Sequence, residues 1–160
     1  VIEVHGLREL DDRLRRLSDQ LRDPILRAGM EAGAEVIRQA AIARAPRRTG
    51  RLAAELAVRM FRVRTLFGPG GIMASIGAQS RDLFYARFLE WGALPHRIKP
   101  RNKRALTVGG RLVGGVDHPG VVPRPFLGPA LAASAEPAVQ RAAQVIRERL
   151  ESSPDVVRRR

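Results

Sequence analysis

"ARAPRRTGRL", residues 43–52, decides how the chain folds. Upstream of it apolar residues recur at helical spacing, and downstream they alternate. Pro46 biases Ala45 out of the helical region and so ends the helix that precedes it. Thr49-Gly50 then supplies a turn, because glycine tolerates positive φ. The stretch also carries Arg44, Arg47, Arg48 and Arg51. It is first a helix-to-strand corner and second a basic patch.

Two helices are expected before the corner. Leu7, Leu10, Leu14, Leu17 and Leu21 alternate steps of three and four over residues 7–22, the spacing of a packed helical seam. Pro24 can open a second helix, since proline is tolerated in a first turn. The alternative is one long helix kinked there. The second helix reaches about Ala45, with Ile25, Gly29, Ala32, Val36, Ala40 and Ala43 as its buried stripe. A stripe of such small residues asks another element to approach closely.

After the corner the period changes to two. Leu52, Ala54, Leu56, Val58 and Met60 face one way, then Phe61 and Val63 become the apolar members. That slip of phase is what a β-bulge would accommodate. "LFGPGG" (66–71) reads as a loop and "IMASIG" (72–77) as a second strand. Residues 82–91 read as a short helix, and 92–104, "GALPHRIKPRNKR", as an extended basic loop. Gly109-Gly110 sits between two short apolar runs, a hairpin signal. "DHPGVVPRP" (117–125) reads as irregular. A last helix is expected over about 128–150, its stripe being Leu131, Ala135, Ala138, Ala142, Ile146 and Leu150. The class is α+β: a small antiparallel sheet with N-terminal and C-terminal helices packed on one face. Residues 1–150 are expected to form one domain with a helical segment over 7–45, and 151–160 a flexible basic tail.

The 160 residues are enough for one domain of this kind. Hydrophobic residues make up 44% but aromatics only 4%, so the core should be thin. Net charge is +13, and its excess is clustered: residues 38–64 hold eight Arg against one Glu, and 97–104 hold five basic groups and no acid. Such clusters favour a polyanion or an acidic protein face. Cysteine is absent, which removes disulfide, thiolate and Cys-zinc chemistry. No run approaches the length a membrane helix needs, and "VIEVHGL" has neither the basic nor the apolar region of a signal peptide.

No constellation of reacting groups is visible. "FGPGG" and "VGGRLVGG" lack the Gly-Lys-Ser/Thr of a phosphate loop and read as turns. His5, His96 and His118 show no pair at metal-helix spacing. His96 and His118 adjoin prolines and suit loop packing and backbone hydrogen bonds. Ser75, Ser80 and Thr49 stand in no nucleophile-elbow pattern. A nuclease using Asp82 and Glu90 is the weak catalytic alternative; Glu90 suits accepting hydrogen bonds from an arginine or the backbone. The most basic parts are a turn and a loop, and aromatics that could stack on bases are scarce. Contact with nucleic acid would therefore be with the backbone, unselective and salt-sensitive. Tyr85 and Trp91 read as core or interface residues.

"ARAPRRTGRL" (43–52), "YARFLEWG" (85–92) and "HPGVVPRPFLGPAL" (118–131) follow an amphipathic helix in that order. Together, over about residues 3–150, they resemble the HK97 gene-product-10-like family of tailed-phage and prophage minor tail, tail-completion and neck proteins. The motif positions are Ala45, Pro46, Thr49, Gly50, Arg51 and Leu52, then Tyr85, Ala86, Glu90 and Gly92, then Pro125, Phe126, Leu127, Pro129 and Ala130. Ala93 stands where the family usually has Thr or Ser, and Arg48 where an acid often precedes Thr-Gly.

The resemblance implies a virion structural protein with no catalytic site, cofactor or metal. It would act at the head–tail junction or the head-proximal tail end, and lie in the host cytoplasm before assembly. Its implied partners are copies of itself in a hexameric ring around the DNA channel, the head–tail connector and the tail-tube proteins. Arg47, Arg48, Arg51, Arg97, Lys99, Arg101, Lys103 and Arg104 are the candidates for contact with packaged DNA or acidic neighbours. A tail-terminator ring is the alternative within the virion, and a free non-specific DNA-binding module the alternative outside it.

Overall fold

A computed structural model describes residues 6–63, 71–78, 80, 83–101 and 104–152. The helix expected over 7–22 is divided into α1 (Leu7–Arg15) and the start of α2 (Asp19–Arg44). The Arg16 N–H reaches back to the Arg13 carbonyl and that of Leu17 to Leu14, a tightened last turn. Ser18, in extended backbone, opens α2 by accepting the N–H groups of Leu21 and Arg22. The break folds α1 back so that Leu10 and Leu14 join Ile25 in a cluster with Ala143, Ile146 and Leu150 of α5 (Leu127–Glu151). Leu7, first of the expected seam, is exposed instead. Pro24 lies inside α2 and does not open it; so near the helix start it removes a single intrahelical bond.

Helices α2 and α5 form the body, lying antiparallel. Gly29 faces Ala142 and Ile146, and Gly33 faces Ala138 and Ala142. A methyl group on Gly33 would sit 2.7 Å from the Ala138 carbonyl oxygen, so this crossing is closer than any other residue permits. The buried face of α2 runs through Ile25, Gly29, Gly33, Ala34 and Ala41 to Ala45. Ala32, Val36 and Ala40 of the expected stripe are half-buried, and Ala43 is exposed. Ile25 and Gly29 were placed correctly; beyond them Gly33 carries no hydrophobic signal and alanines occur all round the helix, so periodicity did not fix the face. On α5 the buried residues are Ala130, Ser134, Ala138, Ala143, Ile146 and Leu150, while Leu131 is 52% exposed.

The corner behaves as expected at its first half. α2 ends at Arg44, and Ala45 is extended at φ −61°, ψ 137°. Gly50 holds φ 70°. The chain then makes one helical turn, α3 (Arg51–Glu55), where a strand was expected from Leu52. A helical turn and a strand both place Leu52 and Leu56 inside, each 2% exposed; the exposed Ala54 distinguishes them. Strands β1 (Leu56–Val63) and β2 (Gly71–Ala78) pair one to one from Leu56↔Ala78 to Val63↔Gly71. The expected bulge does not occur. Phe61 is an exposed apolar residue opposite the exposed Met73, on the face away from α2. Arg38 of α2 grips Glu35 through two bonds of 2.7 Å and donates to the Leu56 carbonyl at 3.1 Å, tying the start of β1 to the helix. Residues 64–70, on which most of the loop expected over 66–71 falls, lie outside the described residues.

After α4 (Ala86–Trp91) the chain leaves the body as an arm, residues 93–125. Part of the loop expected over 92–104 is strand β3 (His96–Ile98), which pairs with β6 (Val116–His118) in the stretch read as irregular. Strands β4 (Leu106–Val108) and β5 (Arg111–Val113) form the expected hairpin, with Gly109 and Gly110 both at positive φ. The fold is α+β, its strands divided among three two-stranded antiparallel ladders.

Candidate interaction site

The three motif segments, distant in sequence, meet in one core. Ala45 and Leu52 come from the corner, Leu83 from just before the second motif, and Phe126 and Ala130 from the third. Ala41 and Leu56 complete the buried set, and Tyr85, Ala86, Leu89 and Leu127 pack around it. Phe126 and Ala130 are fully inaccessible to solvent. Pro46 is half-buried, and Thr49 and Arg51 are exposed.

Glu90 joins the second motif to the third. Its Oε2 accepts the N–H groups of Phe126 and Leu127, each at 2.9 Å, and its Oε1 accepts that of Gly128 at 2.7 Å. These amides open α5, whose cap residue Phe126 makes no side-chain cap of its own. Pro129 has no N–H to satisfy, and Ala130 donates to the Phe126 carbonyl. Every donor at this helix start is therefore accounted for, and the carboxylate lies at the positive end of the helix dipole. Burial pushes the Glu90 carboxyl up, but the amides of Phe126, Gly128 and Leu127 outweigh it and hold the group below its ordinary value. A second tie, Arg124 N–H to the Leu89 carbonyl at 2.6 Å, lies beside it. The sequence reading of Glu90 as a backbone acceptor holds. Its proposed catalytic companion Asp82 lies outside the described residues, as does His5.

His96 and His118 face each other across β3 and β6 with rings stacked 5.2 Å apart. His96 Nδ1 is 2.9 Å from the Leu94 carbonyl, and His118 Nδ1 accepts the Gly120 N–H at 3.0 Å. Both make the backbone bonds expected of them, from strands and not from loops. Among the described residues no three His, Cys, Asp or Glu side chains gather as metal ligands would.

The basic candidates fall in two places. Arg47 and Arg48 are exposed at the corner, where Arg51 pairs with Glu55 at 3.1 Å. Arg97 pairs with Asp117 at 3.5 Å, and Lys99, Arg101 and Arg104 are exposed on the arm. Lys103 lies outside the described residues.

One surface feature escaped the sequence reading. A groove of about 570 Å³ runs between α2, α5, β2 and α4, lined by Met30, Ile37, Ile76, Trp91, Leu131 and Val139 among others. Trp91 at its edge is 78% exposed, whereas Tyr85 packs on the core. The signal was present in Leu131: a large residue on a stripe of alanines need not be on the buried side.

The site is a structural junction beside an open apolar groove. The chain belongs to the HK97-gp10-like family, described as "Bacteriophage HK97-gp10, putative tail-component", whose match covers residues 8–92. That range contains the first two motifs; the third lies beyond it. No curated protein and no solved structure matches the chain. Among the described residues no helix is long and apolar enough to cross a membrane.

Proposed function

We propose that the chain is a structural protein of a tailed-phage virion or phage-like particle, with no catalytic role, that joins head to tail or completes the tail at the neck as a hexameric ring around the DNA channel. Membership in a tail-component family carries this reading. The structure is consistent with it in two ways. Most of the motif residues serve packing, the turn and helix capping, as a structural role would ask of them. The groove beside Trp91 and Leu131, and the exposed pair Phe61 and Met73, give the body apolar surface that side-by-side copies would cover.

Cryo-EM of the purified particle's neck tests the reading. The expected result is a ring of this chain between the connector and the first tail-tube ring. A ring that caps the tube itself would make it a tail terminator. Absence of the chain from purified particles would overturn both.

A further inference from the structure

The arm presents two kinds of surface at once. Leu94, Val122 and Leu112 are 84%, 80% and 76% exposed, with Val108 and Ile98 less so. Among them stand Lys99, Arg101, Arg104 and Arg111, all exposed. The only acid between residues 93 and 125 is Asp117, already held by Arg97. The same stretch contains no Phe, Tyr or Trp. Among the described residues its strands pair with one another; Ala93 and Val121 close its base, and the Arg124 N–H ties it to the Leu89 carbonyl of the body.

Three partners could neutralise this charge, and the surface tells them apart. Duplex DNA would answer the cations but leave the leucines and valines against phosphate, whereas interfaces with DNA are more polar than those between proteins. Single strands are bound on aromatic platforms, which the arm lacks. A second copy of this chain would have to offer carboxylates, and it has few. Glu9, Asp11, Asp23, Glu35 and Glu55 are each held by an arginine of the same chain, and Glu90 by three amides. Asp12, Glu31, Glu136, Glu148 and Glu151 meet no arginine among the described residues, Glu136 and Glu148 accepting from Gln140 and Gln144, but they are spread along α1, α2 and α5. Two copies at +13 each would repel where an arm approached. Aliphatic residues among unpaired cations match the anatomy of a protein interface with an apolar centre and a charged rim. The cations would also steer the encounter.

We infer that the arm, residues 93–125, docks on a different protein, one that presents an acidic surface around an apolar centre. The inference deepens the proposed role and rests on it for the source of the partner, another component of the particle. Copies of this chain meet through the body, and the arm reaches the unlike neighbour.

The absence of cysteine makes the test clean. A Leu112→Cys chain carrying a thiol-linked photo-cross-linker is assembled into particles, irradiated and mapped by mass spectrometry. The expected adduct is with a different polypeptide, at a peptide rich in Asp and Glu. An adduct with another copy of this chain, or with DNA, overturns the inference.

Two further measurements guard against a lost fold or a misplaced label. Leu112→Ser with Val122→Ser should keep the wild-type melting curve yet lower incorporation into particles by about tenfold or more. Undiminished incorporation counts against the arm. A random-sequence duplex is then titrated with purified wild type and with Lys99→Gln, Arg101→Gln, Arg104→Gln across salt. The slope of log affinity against log salt should differ by less than about one unit, since contact with three phosphates would remove about 2.7. A larger drop assigns the arm to DNA and overturns the proposal. Absence of the chain from purified particles defeats the structural role itself, whereas presence with the wrong cross-link defeats only the inference.

Discussion

The junction around Phe126 and the arm are joined in sequence and opposite in construction. At the junction the amides that open α5 are satisfied within the chain: Glu90 takes those of Phe126, Leu127 and Gly128, and proline occupies the next position. Its apolar side chains are hidden, Phe126 completely. On the arm the ladders are three residues long, Leu94, Val108, Leu112 and Val122 face water, and four cations have no acid opposite them among the described residues. A chain of this size holds its shape with one region and offers the other. The buried motif residues, Ala45, Leu52, Phe126 and Ala130, fall in the interior part of that division, so recognising them says how the chain folds before it says what the chain touches.

Substitutions should separate the two regions sharply. Phe126→Ala should cost about 3–5 kcal/mol in denaturant unfolding, because its site cannot collapse around a fully buried ring. Leu112→Ala on the arm should stay within about 0.5 kcal/mol. Equal costs would end the distinction. Glu90→Ala leaves three amides at a partly buried helix start without an acceptor and should cost about 2–3 kcal/mol. The carboxyl is held below its ordinary value in the fold, so its contribution is complete above the unfolded value, about 4.3, and is lost as pH falls through the folded one. The gap between wild type and Glu90→Ala should therefore narrow in acid. A gap constant from pH 7 to pH 3 would mean the amides do not hold the ionised form.

What could be read in the sequence follows the same line. Helices α2 and α5, the proline that stops α2, the Gly109-Gly110 hairpin and the role of Glu90 were legible because each rests on a local signal. The split at Arg16–Ser18 was not, because the leucine seam continues across it and only the docking of α1 on α5 breaks it. The turn of α3 escaped because Leu52 and Leu56 satisfy both periods. The supposed bulge was an exposed Phe61, indistinguishable by pattern from a buried residue out of phase. The pairing of β3 with β6 joins residues about twenty apart through weak three-residue strands, which no local rule reports. The arm's basic residues were visible at once. That many of the chain's own acids are already engaged was not, since ion pairs are a property of the fold.

Gly50 lies between the extremes. Nothing lies within 4 Å of where a side chain would start, so crowding does not enter. Its φ of 70° does, and Gly50→Val should cost about 1–3 kcal/mol, with assembly impaired in proportion. Unchanged stability would mean the corner relaxes freely and does not belong with the junction.

The smallest effect expected is at Arg97 and Asp117. The pair spans 3.5 Å, and its side chains are 57% and 79% exposed. Water screens such a pair, so Asp117→Asn should change stability by about 0.5 kcal/mol or less. The same substitution removes the arm's one acid and so raises the arm's net charge by one. If the arm docks on an acidic neighbour, Asp117→Asn should leave the melting curve in place while increasing incorporation into particles, most at low salt. A substitution neutral to folding yet active in assembly is what the division between the two regions requires. A loss of stability as large as that of Glu90→Ala would place Asp117 with the junction and erase the contrast.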